Sequence, residues 1–496
     1  MASNPVLYEV NTRVWLRELG ATLAQVPDAE LDRWAALGFQ WIWLMGVWTT
    51  GDAGREISRS HPDWRAGYRE TLGESLREED IIGSPFAVRE YAVDPALGGD
   101  AGLAELRRRL HDRGMWLMLD LVPNHTARDH AWVAEHPAFY VQGTEGDLES
   151  QPFNYCRVGT PSGARVLAFG RDPYFHGWPD TLQLDYRHPR LREAMTAELL
   201  RIAGQCDGLR CDMAMLLLPQ VFGQTWKDAP PPAEGPAGDE SFWPGAIARV
   251  RSAHPEFLFV AEVYWGYEWE LQQQGFDYTY DKRLYDLLRE GNAEGVRGHL
   301  TAEPDFQRRL ARFLENHDEP RAAATFPPPV HAAAAVVSFL APGLRLLHEG
   351  QLEGRRVKTS VHLGRRPDEP ADAEIAPFYT RLLECLRRPE AAGGEWRLLE
   401  CGPASEHDPS WRQLIVFCRE SAHGRLLAAV NFAPHPGQCR VPLPFAGLRG
   451  RQWVLRDVLG AEEHLREGDE LVDPGLYLAL PPWGYPVFEI MDAENA

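Results

Sequence analysis

In the stretch CDGLRCDMAM an arginine, Arg210, stands two residues before an aspartate, Asp212, inside a run that otherwise reads as a buried strand. Residues i and i+2 of a strand share a face, and a charged pair on an inner strand is costly unless it has a task. A guanidinium beside a carboxylate keeps it ionised and fixes its direction by charge-assisted hydrogen bonds. Three further apolar runs end in polar groups. FLFVA is followed by Glu262, LDLVPNH carries Asp120, Asn124 and His125, and FLENHD ends in Asn316, His317 and Asp318. Two carboxylates flanking a sugar's anomeric carbon cleave a glycosidic bond, one as nucleophile, the other as the acid that protonates the leaving oxygen and later activates water. The retaining version wants them about 5–5.5 Å apart, a spacing that neighbouring strands supply. Glu262 follows five apolar residues and lies near other carboxylates, so its pKa should be raised and its proton kept near neutrality. Asp120 sits deeper in its run than Asn124 and is expected to make structural hydrogen bonds.

Something must bring those run ends together. Eight strand-like runs cover residues 6–15, 39–48, 115–125, 208–214, 256–265, 276–281, 312–318 and 344–350. Between them lie helical segments with apolar residues at i, i+3 and i+4, at 28–38, 101–114, 190–204, 281–291 and 330–341. Strands buried on both faces read as nearly continuous apolar runs, and eight β-then-α units favour a (β/α)₈ TIM barrel, whose chemistry sits where strands end. About sixty residues separate His125 from the helix at Arg190, which suggests an inserted domain B over 126–187 rather than a loop. Segment 228–240, rich in Pro and Gly, should lie over the same rim. AAGGEW, at 391–396, reads as a linker closing a barrel of residues 1–392. Residues 393–496 alternate in short runs between turn residues, the pattern of a C-terminal antiparallel β-sandwich.

The chain has 496 residues and a formal charge of −21, which repels phosphate backbones and anionic lipids and so argues against nucleic acid or a membrane surface as partner. A neutral ligand is easier to accept. No leader-like pattern opens the chain and no stretch approaches about 18 consecutive apolar residues, so a cytoplasmic protein is expected. Seven cysteines without a CxxC pair fit reduced thiols.

LDLVPNH, GLRCDMAM, FVAEV and FLENHD, in this order and at these strand ends, resemble the four signature regions of the α-amylase family of glycoside hydrolases. GSPFAVREYAVDPALGG and WPDTLQLDYRHPRLREAM are similar to further family segments. The resemblance implies Asp212 as nucleophile, Glu262 as general acid/base and Asp318 as the carboxylate that stabilises the transition state. It places Arg210 beside the nucleophile and gives His125 and His317 to the sugar's hydroxyls. Phe86 stands where the family often has a stacking tyrosine, and still offers an apolar face. Met215 and Leu216 replace the Lys-His pair of starch-degrading members, which puts leaving-group contacts and long-polymer specificity in question. Asn124 matches a ligand of the family's structural calcium; no other cofactor is implied. Of seventeen tryptophans, Trp41 and Trp43 read as core, and Trp178 and Trp265, near rim loops, as sugar-stacking groups. The run SLREEDII reads as solvated.

The expected activity is retaining cleavage of α-glucosidic, chiefly α-1,4, bonds in maltooligosaccharides or glucans. The same residues also suit glucanosyl or maltosyl transfer, or isomerisation of the trehalose-synthase type. A non-catalytic carbohydrate-binding or scaffold relative is the alternative of another class. Oligomeric state is left open by the sequence.

Overall fold

The runs rich in Val, Leu, Ile and Trp pair edge to edge in parallel. In the structure, a computed structural model that describes residues 4–161, 163–232 and 240–494, they form β1 (Val6–Asn11), β2 (Trp41–Met45), β3 (Trp116–Leu121), β4 (Gly208–Cys211), β5 (Leu258–Ala261), β6 (Tyr278–Tyr280), β7 (Leu310–Arg312) and β8 (Leu344–His348). These close in the order β1-β8-β7-β6-β5-β4-β3-β2. Helices including Asp28–Leu37, Gly99–His111, Pro189–Ala203, Phe242–Ala253, Pro328–Leu340 and Ile375–Leu386 run between them, so every strand of β2 and β8 type is buried along its whole length. Gly208 lets β4 close on its neighbours: a Cβ there would lie 2.9 Å from the Leu258 carbonyl oxygen and 3.0 Å from the Trp41 ring.

The seventh strand differs from expectation. It precedes most of the run 312–318, because Phe313 and Leu314 are buried by packing rather than by pairing and Asn316 Oδ1 accepts from the Asp318 and Glu319 amides (2.9 and 3.0 Å), which turns the chain.

Two excursions rise from the strand ends. Between β3 and β4, strand His125–Ala127 pairs with Thr181–Gln183, and Tyr155–Thr160 with Gly163–Ala168. Between β2 and β3 a helical hairpin, Asp52–Ser60 and Pro62–Leu72, precedes strand Val88–Val93. The run SLREEDII beside it is not wholly solvated: Asp80 is fully buried, ion-paired with Arg17 (3.0 Å) and Arg365 (2.9 Å). Of the segment 228–240, residues 233–239 lie outside the described residues.

Past the barrel, AAGGEW is not a free linker. Its first residues belong to the short helix Pro389–Gly393, where buried Ala391 accepts a hydrogen bond from Arg345, and its last begin a strand. The strands that follow are β9 (Glu395–Leu399), β10 (Gly402–Pro403), β11 (Leu414–Glu420), β12 (Arg425–Asn431), β13 (Gly437–Val441), β14 (Gln452–Asp457), β15 (Glu463–Glu467), β16 (Leu476–Leu480) and β17 (Val487–Asp492). They form a six-stranded sheet, β9-β11-β12-β17-β14-β15, and a three-stranded one, β10-β13-β16, around a core that includes Leu414, Val416, Cys439, Leu476 and Phe488. Among the described residues, no helix is long and apolar enough to cross a membrane. All seven cysteines are free thiols.

Candidate active site

β4 ends at Cys211, but the barrel ladder continues one step: the Asp212 amide donates to the Leu121 carbonyl (2.8 Å) and the Glu262 amide to that of Cys211 (3.0 Å). Asp212 and Glu262 are thereby fixed on adjacent strands at one height. Met213 then turns the chain with a left-handed backbone, φ 44°, which aims its own amide at Glu262 Oε2 (2.7 Å).

Arg210, fully buried, sits beneath both acids. Its Nη1 donates to Asp212 Oδ1 at 2.7 Å, and its Nη2 lies 2.8 Å from Glu262 Oε2 and 3.9 Å from Asp318 Oδ2. The guanidinium is held by rings: Trp43 and Phe86 each lie 5.3 Å from it and Tyr280 5.9 Å, while Nε donates to the Tyr280 hydroxyl (3.4 Å). One cation thus joins the three carboxylates.

Their electrostatics diverge. Burial lifts Glu262 to about 7 and the anions of Asp212 and Asp318 add to the rise, against the pull of Arg210. The Tyr264 hydroxyl donates to its Oε1 (2.8 Å). Asp318 goes the other way. Loss of water would raise it, but His317 Nε2, 3.0 Å away, and then Arg210 hold it well below the usual carboxylate range. Its side chain is 43% exposed, so it faces the pocket mouth, whereas Asp212 and Glu262 are buried.

His317 is itself charged. Burial disfavours the cation, yet Asp318 on Nε2 and Glu9 on Nδ1 (2.5 Å) lift it to about 10. Glu9, fully buried in β1, was not singled out in the sequence; a carboxylate inside VLYEVN was the available signal. Trp43, read as core, is fully buried as expected, but its ring also supports Arg210 and lies 5.5 Å from His317, and its Nε1 donates to Asp120 (3.0 Å). Asp120 takes a second bond from the Gly46 amide (2.9 Å).

Phe86 stacks on His317, centroids 5.2 Å apart. His125 is buried; burial pushes its pKa down although Asp212 nearby raises it, which keeps the imidazole neutral and able to donate and accept at once. Trp178 packs against His125 at 5.1 Å. Trp265, three residues past Glu262, stands at the rim with 40% of its surface exposed and meets Tyr174 of the excursion edge to face at 4.9 Å. Met215 and Leu216 are buried.

Asn124, the expected calcium ligand, exchanges amide bonds with Gln183, accepting at 2.9 Å and donating at 3.2 Å; among the described residues no three His, Cys, Asp or Glu side chains group together.

A sequence model of the α-amylase catalytic domain matches residues 36–358, more than half of the chain and the part that holds all three carboxylates. The chain belongs to the α-amylase family. Among curated relatives of this α-amylase family member, α-amylase MalA of Haloarcula japonica is 26% identical over 472 residues, 93% of this chain and 59% of that protein. α-Amylase 3 of Dictyoglomus thermophilum is 22% identical over 306 residues, 56% of this chain and 54% of that protein. The chain thus spans under two thirds of the length of these relatives. Among solved structures, the maltogenic α-amylase AmyB of Thermotoga neapolitana superposes with a TM-score of 0.69 at 18% identity, covering 99% of both chains. This likeness shows that the α-amylase fold extends over the described barrel and sheets alike.

Proposed function

We propose that the chain is a retaining glycosidase that cleaves α-glucosidic bonds, foremost the α-1,4 bonds of maltooligosaccharides, by double displacement. Asp212 attacks the anomeric carbon while Glu262 gives its proton to the departing glycosidic oxygen, leaving a glycosyl ester on Asp212. The Glu262 carboxylate then takes a proton from water, whose oxygen attacks the same carbon and frees Asp212; two inversions give net retention. Asp318 offers a fixed negative charge to the oxocarbenium-like transition state and hydroxyl contacts to the sugar beside it.

The observation that carries this reading is the single Arg210 guanidinium bound through neighbouring nitrogens to Asp212 and Glu262. That arrangement favours the close pair of a retaining enzyme, about 5–5.5 Å, over the inverting spacing of about 6.5–9.5 Å. The opposed proton affinities of Glu262 and Asp318 support the same division of labour. The substrate class is supported by relatives named as α-amylases, as an α-glucosidase of Culex pipiens, 32% identical over 132 residues, and as a trehalose-6-phosphate hydrolase of Escherichia coli, 30% identical over 150.

Asp212→Asn, isosteric but no longer nucleophilic, is expected to lower kcat on maltooligosaccharides by about three orders of magnitude or more with unchanged circular dichroism. Near-normal turnover by that variant, or inversion at the anomeric centre by proton NMR of wild-type product, would refute the mechanism. A second outcome of the same glycosyl ester is favoured by the apolar rim of Trp265 and Tyr174 beside Glu262, which suits a sugar hydroxyl better than water in the second step. A maltosyltransferase of Arcanobacterium haemolyticum, 25% identical over 238 residues, is among the relatives. Products longer than the substrate at high acceptor concentration identify transfer.

A further inference from the structure

The two carboxyl oxygens of Glu262 have different neighbours. Oε2 accepts from the Met213 amide at 2.7 Å and lies 2.8 Å from Arg210 Nη2. A backbone N–H and a guanidinium only donate, so a hydrogen on Oε2 would face hydrogens already there. Among the described residues, Oε1 has one hydrogen-bond partner, the Tyr264 hydroxyl at 2.8 Å. A hydroxyl both donates and accepts. The proton that an acid at this position must carry therefore belongs on Oε1.

Tyr264 is held beside that oxygen. It stands two residues past Glu262 on the segment that leaves β5, and its ring, partly buried, packs against the barrel core. The Trp265 ring lies 6.4 Å from it. The charged and titratable groups that act on Glu262 are Arg210 on β4, Asp212 at the end of β4, and Asp318 after β7. Glu262, Asp318 and Tyr280 of β6 act in turn on Tyr264. Burial, and then the Glu262 and Asp318 anions, push the phenol well above its usual pKa. It keeps its own proton while Glu262 gains and loses one.

We infer, on the glycosidase reading, that Glu262 carries its catalytic proton on Oε1 and that Tyr264 is the positioning residue that holds this oxygen for the transfer. Before substrate enters, Oε1–H donates to the Tyr264 oxygen. In the first step the Oε1–H bond breaks as the proton binds the leaving oxygen, which keeps the electron pair of its broken bond to the anomeric carbon. The Tyr264 hydroxyl then rotates and donates to the new Oε1 anion. In the second step water gives a proton to Oε1 as its oxygen bonds the anomeric carbon, and Tyr264 returns to accepting.

The test compares wild type with Tyr264→Phe, which keeps the ring and removes only the hydroxyl. A hydrogen bond to an anion is roughly twice as strong as one to a neutral group, so loss of the hydroxyl disfavours the Glu262 anion. The alkaline limb of kcat/KM on maltotriose should move up by about half a pH unit or more. At pH 6, kcat/KM on maltotriose should fall about tenfold or more relative to that on α-glucosyl fluoride, whose departure depends far less on a proton. Infrared titration of the carboxyl stretch that Glu262→Gln removes reads the same contact without turnover, and its midpoint should rise in Tyr264→Phe. Cleavage of maltotriose by both proteins with an unmoved limb, an unchanged substrate ratio or an equal infrared midpoint overturns the inference and leaves the glycosidase reading intact. A wild type that cleaves no glucoside while the midpoint still rises sinks that reading and supports the Oε1 contact.

Discussion

Arg210 sets one cation against Asp212, Glu262 and Asp318, while burial at Glu262 and the charged His317 beside Asp318 pull the proton affinities of the two acids apart. Glu262 works as an acid only while protonated, and its pKa is lifted to about 7. The alkaline limb of kcat/KM should therefore break near pH 7 and fall about tenfold per unit above it; a profile flat to pH 9 would contradict the assignment. The same shift bears on stability. The folded state holds the Glu262 proton more tightly than the unfolded chain, so between the unfolded pKa near 4.3 and about 7 stability falls as pH rises. Glu262→Gln has no such penalty: it should be inactive, yet gain in melting temperature over wild type as the comparison moves from pH 5 to pH 8. His317 has a dependence of the same sign at higher pH. Its pKa is raised, so its two ion pairs stabilise the fold below the unfolded histidine value and lose that effect as pH climbs through about 10. Glu9 acts on the reaction through His317, as a positioning residue. Glu9→Gln should lower the pKa of the His317 imidazole, visible by NMR titration, and reduce kcat more than it changes KM, because Asp318 loses a fully charged neighbour.

At the scale of elements, the segment after β5 holds an exposed indole on a left-handed backbone, φ 64° at Trp265. A non-glycine residue there costs about 1–3 kcal/mol, and 40% exposure returns little of it by burial. The strain is offset if the ring receives the leaving group that Glu262 protonates. Trp265→Gly relieves the strain and removes the ring, so it should hold or raise the melting temperature while kcat/KM on maltotriose falls about tenfold or more relative to that on α-glucosyl fluoride, whose fluoride needs no platform. An unchanged ratio would deny the ring this role. The strand ends that carry Asp212 and Glu262 were legible in the sequence because each stands directly behind an apolar run, and that boundary marks where a barrel strand stops. The length of β7 was not: Phe313 and Leu314 look the same in a strand as in a packed turn, and only the Asn316 side chain's bonds to the next amides tell them apart. Trp43 beneath Arg210 is likewise indistinguishable by type from its core neighbour Trp41. Asp80 was hidden for another reason: its partners Arg17 and Arg365 lie far from it along the chain, and sequence reading finds local charge patterns, not distant pairs.

Across the whole molecule, the barrel and the C-terminal sheets are joined by a polar clasp as well as by apolar packing. Arg419 of β11, 2% exposed, donates through Nε to the Leu340 carbonyl (3.0 Å), through Nη2 to Ala341 (3.0 Å) and through Nη1 to Gly394 (3.3 Å). The first two carbonyls close the helix Pro328–Leu340, whose last carbonyls lack intrahelical partners. Burial brings the pKa of Arg419 down only to about 10, so the clasp stays charged through neutrality. Arg419→Met keeps much of the stem but leaves three carbonyls without this donor, at about 1–3 kcal/mol for each that water cannot reach. The variant should melt several degrees lower, with the C-terminal sheets cleaved first in limited proteolysis. Arg419→Lys, a point charge without the planar fork, should recover only part of the loss. Since the clasp lies away from the strand ends, kcat/KM at 25 °C should change by less than about twofold, as expected for a distant site that acts on stability alone. A large fall in activity with an unchanged melting temperature would mean that the C-terminal sheets act on the active site itself rather than on the stability of the barrel that carries it.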